Sequence, residues 1–220
     1  MRTFLLPLTL PLLAASAAGQ CEIAQPDTGT WVTWMSGTAF ASGLAAVAGN
    51  ANHVALFEPT AAGWTQTESL TIPGLVLLES PRVWTDGERV IVGMLEDGPT
   101  LNAQGRVYVF ERAKNWLQPT MIESPNGQGF ETFGMGLDAE GDTLVVGASW
   151  TVSDVLCGPG EVHFFEFDGT TWQFQAEFSP HGQQQNMGGF GMQVALDGDT
   201  AVAGAGWDDE FVKFAGAVYV

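Results

Sequence analysis

Basic side chains are scarce. Only 7 of the 220 residues are Lys or Arg, against 25 Asp and Glu, and the formal net charge is −18. Lysine occurs only at Lys114 and Lys213. Nucleic-acid binding rests on cationic side chains neutralising phosphates, so this composition excludes it. The acidic surface leaves two readings open: solubility alone, or attraction of cations and basic partners. Histidine is rare as well, at His53, His163 and His181. There is no G-x-S-x-G, no H-E-x-x-H and no Gly-rich phosphate cradle, so hydrolytic and phosphoryl-transfer templates lack their parts. Asp208 and Asp209 are adjacent in one loop, where side chains diverge, whereas a glycosidase needs two carboxylates across a cleft. No catalytic residue is assigned.

Cysteine is limited to Cys21 and Cys157. In an oxidising compartment they can pair and staple the N-terminal region to a later loop, or remain two free thiols. A structural metal site needs more ligands than this pair supplies. One long apolar run is present, Phe4 to Ala15, behind Arg2 and ahead of the small-x-small sequence Ala15-Ser16-Ala17. It is too short to span a bilayer and reads as an export signal. Residues 1–19 are therefore expected to be removed, leaving 20–34 as an N-terminal segment. The mature charge would be 25 minus 6, or −19, with Arg2 gone. A secreted, extracellular or periplasmic protein with no transmembrane helix is expected.

Repetition is what the chain does have. FGMGLDAEGDTLVVGA at Phe133 to Ala148 lies over FGMQVALDGDTAVAGA at Phe190 to Ala205, with weaker copies at Thr85 to Met94 and Ala41 to Asn50. Gly43, Gly87, Gly141 and Gly198 are spaced 44, 54 and 57 residues apart. A second landmark keeps the same beat: HVALFE from His53, RVYVFE from Arg106, EVHFFE from Glu161 and AVYV from Ala217. A third follows each full copy, at Trp64, Trp116 and Trp172.

Each copy reads as four strands, A to D. Strand A is FGMQVAL-like, B is TAVAGA-like, C is RVYVF-like, and D begins at the tryptophan. Asp86-Gly87 and Asp197-Gly198 suit tight hairpin turns that need positive φ. No segment shows helical periodicity. Four-stranded repeats of ~40–50 residues predict an all-β fold, a β-propeller with one antiparallel sheet per blade. The copies span approximately 35–78, 79–132, 133–189 and an incomplete 190–220.

The string FG-x-x-V-A-L-x-G-D-T-A-V-x-G-A, followed by D-D and G-A-V-Y-V, resembles the FG-GAP repeat family, related to the N-terminal propeller of integrin α subunits. The resemblance covers roughly Met35 to Val220. It implies a seven-bladed ring, extracellular placement and a role in adhesion or ligand binding. The integrin relatives carry an acidic calcium motif between strands A and B. Here that loop has shrunk to Leu196–Thr200 and Leu137–Thr143, too short to wrap an ion that takes six to eight oxygens. Calcium is therefore not expected, nor any other cofactor, and Asp142 and Asp199 are expected to bond to turn backbone.

Meander topology puts the short A–B and C–D turns on one rim and the longer B–C and D–A connections on the other. Long loops on a rigid scaffold collect binding residues. The ligand-facing candidates are Trp150, Trp207, Asp208, Asp209, Glu96 and Asp97 at the starts of the B–C loops. Aromatic rings beside carboxylates suit a sugar or a basic side chain, and equally the tryptophans can fold inward to seal the blades. The partner class is an unknown extracellular protein or glycan, with a secreted carbohydrate- or ester-directed hydrolase as the alternative. The last copy ends at Val220 within strand C. Thr28 to Trp34 resembles an outer strand, but the ~4 residues before the first strand A barely cross a blade at ~3.3 Å each. An incomplete array is the expectation.

Overall fold

The computed structural model describes residues 37–49, 52–73, 81–94, 104–127, 132–149, 160–180, 187–208 and 215–220. The first sheet is β1 (Gly37–Ala41), β2 (Leu44–Ala48), β3 (His53–Thr60) and β4 (Gly63–Thr71). The second is β5 (Arg82–Thr85), β6 (Arg89–Met94), β7 (Arg106–Glu111) and β8 (Thr120–Ile122). The third is β9 (Phe133–Glu140), β10 (Thr143–Ala148), β11 (Glu161–Phe167) and β12 (Trp172–Phe178). The fourth is β13 (Met187–Asp197), β14 (Thr200–Asp208) and β15 (Ala217–Tyr219). Within each sheet the strands pair antiparallel in chain order. A single 3-10 turn, Arg112–Lys114, is the helical element among the described residues. These are the blades of a β-propeller, as the repeat predicts.

The second strand of each blade is an almost unbroken apolar run, and that reflects burial on both faces. In β6, Val90 and Val92 join the core shared with the first blade, while Ile91 between them joins the core shared with the third. In β10, Leu144 and Val146 face the second blade and Val145 the fourth. Successive side chains of a strand point to opposite faces, so one strand serves two interfaces. The structure is therefore a serial stack with three inter-blade cores.

The stack is tightest along the first strands, where β1, β5, β9 and β13 touch in order. A Cβ placed on Gly134 would lie 3.0 Å from the Cα of Gly93 in the blade before, and one on Gly191 would lie 3.3 Å from the Cα of Gly147. Both Gly134 and Gly191 have positive φ, 97° and 83°. The FG pair repeats because its glycine lets two backbones approach and turns in a region closed to larger residues.

Polar ties cross the blades on the A–B turn side. Arg112 Nη1 lies 2.7 Å from Glu58 Oε1. Arg89 binds Asp86 in its own turn and reaches the Gly141 carbonyl of the next blade. The backbone N–H groups of Leu196 and Gly198 donate to Asp138 (2.7 Å) and Glu140 (2.6 Å). Asp142 reaches across to Arg89, 3.6 Å away, rather than closing on its own turn. The A–B turns thus latch neighbouring blades together.

Two details of the repeat shift in the structure. The outer strand starts at or next to the tryptophan in the first and third blades, but in the second it starts at Thr120, four residues past Trp116. There Asn115, Trp116 and Gln118 all have positive φ, and Trp116 is buried beneath the Arg112 guanidinium, 5.2 Å from its ring centroid. The Thr28–Trp34 segment lies outside the described residues.

Candidate functional site

The rim formed by the B–C and D–A connections is where the candidate ligand residues belong. Trp150, Glu96, Asp97 and Asp209, together with Cys21 and Cys157, lie outside the described residues. Trp207 belongs to β14, where its backbone pairs opposite Gly188. Asp208 follows it and is buried. Its Oδ2 accepts a 2.8 Å hydrogen bond from the Tyr219 hydroxyl, and its carbonyl accepts one from Gly216 N–H at 3.0 Å. Asp208 thereby fixes how β15 enters the blade.

The same rim holds a second polar group that the spacing of the sequence does not announce. Glu161 and His163 lie two apart on β11, so both point to one face of the strand, toward the second blade. Glu177 on β12 is the direct cross-strand partner of His163. Asn126, from the connection after β8, closes the group from the neighbouring blade. Its Nδ2 donates to Glu161 Oε2 at 2.7 Å and to Glu177 Oε2 at 3.1 Å. One ligand atom from each of Glu161, His163 and Glu177 lies within 4.8 Å of the other two.

His163 is the unusual member. It is fully buried, and neither ring nitrogen has a hydrogen-bond partner. Nε2 lies 3.5 Å from Glu161 Oε2, close enough for an ion pair only if the ring were charged. Burial pushes its pKa down to about 4, against the pull of the Glu177 carboxylate, so the imidazole is neutral at physiological pH. Burial also raises the Glu161 carboxyl, the Asn126 hydrogen bond works against that rise, and the Glu177 charge adds to it. A neutral nitrogen base and two crowded carboxylates on a loop-bearing rim can hold a cation or present a proton acceptor to a ligand.

The ring itself packs as part of the repeat. The Phe133 and His163 centroids lie 5.5 Å apart, and the equivalent Phe190 and Tyr219 lie 5.3 Å apart, both edge to face. A separate apolar cleft of about 340 Å³ opens between the third and fourth blades, lined by Val162, Phe164, Phe178, Ala201, Ala203 and Tyr219 among others. The described residues contain no helix long and apolar enough to cross a membrane.

Residues 172–220 match the FG-GAP repeat family model. That span runs from the outer strand of the third blade through the fourth, the stretch that carries the FG, G-D-T and G-A-V-Y-V landmarks. No curated protein sequence matches the chain. Among solved structures, the computationally designed Ika4 protein is similar at a TM-score of 0.53 and 11% identity, covering 84% of this chain and 90% of that one. The computationally designed Ika8 protein has a TM-score of 0.50 at 12% identity, covering 79% and 43%. Sqt1 of Saccharomyces cerevisiae has a TM-score of 0.48 at 14% identity, covering 77% and 42%. At such identities the likeness concerns the fold alone, and this chain spans under half the length of the last two.

Proposed function

We propose that this chain, which carries an FG-GAP repeat on β-propeller blades, is an exported binding module. Its contact face is the rim of B–C and D–A connections. The observation that carries this reading is the division of labour between the two rims. On the A–B side, polar side chains are engaged in latching blade to blade through Arg89, Arg112, Asp138 and Glu140. On the opposite side, the strands are joined by long connections, 95–105, 149–160 and 209–216 between B and C. Long connections carried on a rigid scaffold are where binding residues collect. The surplus of acidic residues suits basic or cation-bearing partners. The resemblance to the adhesion propellers supports the same role, and the N-terminal Arg2-to-Ala17 pattern supports export.

The test is binding of the fluorescently labelled, full-length mature chain to a glycan array and to immobilised extracellular-matrix proteins. A signal that Trp150→Ala and Trp207→Ala reduce at least tenfold, ~1.4 kcal/mol or more, with unchanged melting temperature, supports the rim. Silence on both supports, or a signal insensitive to both changes, overturns it.

A further inference from the structure

Comparison of the blades position by position isolates what is special about the third. Opposite Val92 in the second blade stands Tyr108, and opposite Ala203 in the fourth stands Tyr219. Opposite Val146 in the third blade stands His163. Two residues earlier on the same strand, Arg106 and Ala217 of the second and fourth blades give way to Glu161. Directly across the sheet, Met121 opposite Tyr108 gives way to Glu177 opposite His163. Three positions that are otherwise aromatic, basic, small or apolar become imidazole and two carboxylates in a single blade. All three changes point into one place.

Crowding alone would make that combination costly. Two carboxylates held close repel each other, and a fully buried imidazole with both nitrogens unpaired forfeits its hydrogen bonds to water without replacement. A bound cation would offset the repulsion and give one of the two buried ring nitrogens a partner. We propose that Glu161, His163 and Glu177 form a binding site for a divalent first-row transition metal of the zinc class, with Asn126 positioning the two carboxylates. The donor set sets the class. One imidazole nitrogen with two carboxylate oxygens suits zinc and its neighbours, whereas calcium and magnesium take oxygen shells.

The geometry is close to what such an ion needs. Bonds of ~2.1 Å at tetrahedral angles place ligand atoms ~3.4 Å apart. Nε2 of His163 and Oε2 of Glu161 are already 3.5 Å apart. Glu177 stands exposed on the outer strand, and its ligand atom already lies within 4.8 Å of those of Glu161 and His163. This assignment stands apart from the binding role proposed above, since a structural ion and a ligand-contacting ion occupy the site equally well.

The full-length mature chain, stripped with EDTA, is titrated with Zn²⁺ by calorimetry and with Co²⁺ by visible absorption. One ion should bind per chain, raise the melting temperature and give cobalt ligand-field bands. Glu177→Gln, at an exposed position, and His163→Tyr, which installs the residue of the second and fourth blades, should each weaken binding. The loss should exceed the ~10–100-fold that follows when only a supporting residue is removed. Asn126→Ala should fall within that range. If His163→Tyr does not fold, Glu177→Gln and Asn126→Ala carry the test. No saturable zinc binding, or binding that Glu177→Gln leaves intact, overturns the assignment.

Discussion

Gly147 shows how much a single hydrogen atom can matter here. A Cβ at that position would collide with the carbonyl oxygen of Gly191 in the next blade, a backbone atom that cannot swing aside. Gly206, on β14, the equivalent strand of the fourth blade, has nothing within 4 Å of a Cβ and no positive φ. Gly147→Ala should therefore destabilise by about 1–3 kcal/mol, the usual cost of overfilling a packed interior. Gly206→Ala should change stability by no more than about 0.5 kcal/mol. Urea denaturation of the two variants, compared at equal slope, checks the contrast. Equal losses would mean that the blades do not approach through these glycines.

Hairpins and edge strands are the next scale up. The A–B turn of the second blade is held by Asp86, whose Oδ1 accepts from the backbone N–H of Glu88 (2.9 Å) and Arg89 (2.6 Å). Burial raises the Asp86 carboxyl, but the Arg89 and Glu88 hydrogen bonds and the Arg89 charge more than reverse this, so its pKa lies below the usual value. A carboxyl depressed in the folded state contributes stability that is complete above its unfolded pKa near 3.8 and is lost as pH falls through the lower folded value. Arg89 also tops the Trp172 ring at 5.6 Å, so the turn and the blade contact weaken together. Asp86→Asn should melt lower than wild type at pH 7, by the ~1 kcal/mol expected of a lost charge-assisted turn contact. The gap should narrow as the pH is taken down through 3.8. A gap that widened on acidification would contradict the assignment of Asp86.

Element by element, the sequence and the structure agree wherever local chemistry decides. The positive φ of Gly87 (96°) and Gly198 (55°) follows from the Asp-Gly turns, and the apolar runs of β6 and β10 mark strands buried on both faces. Strand D of the second blade departs from the repeat. Trp116 follows a polar turn as Trp64 and Trp172 do, yet Arg112 stacks on it and the chain spends three residues at positive φ before pairing resumes. That outcome depends on a contact between a turn and its own side chain, which strand periodicity does not register. The site shows the same division. E-x-H at 161–163 is visible as one strand face, but Glu177 and Asn126 join it only through cross-strand register and the approach of another blade. The aromatic and acidic candidates at 96–97, 150 and 209 lie outside the described residues, and Asp208 is engaged by Tyr219.

At the scale of the whole molecule, three separate cores join four blades in series. Each blade borrows part of its stability from its neighbours, as in other stacked-repeat architectures. Inner strands are sandwiched, while β12 is half-buried at Trp172 and exposed from there to Phe178. Protection from hydrogen exchange should follow that layering, because a strand between two partners opens only with its blade, and an edge strand frays alone.

Native-state hydrogen exchange read by mass spectrometry on peptides covering β6 to β8 and β10 to β12 tests the blade architecture most directly. Exchange should be slowest in β6, β7, β10 and β11, faster in β8 and β12, and fastest in the 168–171 turn. Uniform exchange across those peptides, or slower exchange in β12 than in β10, would contradict it.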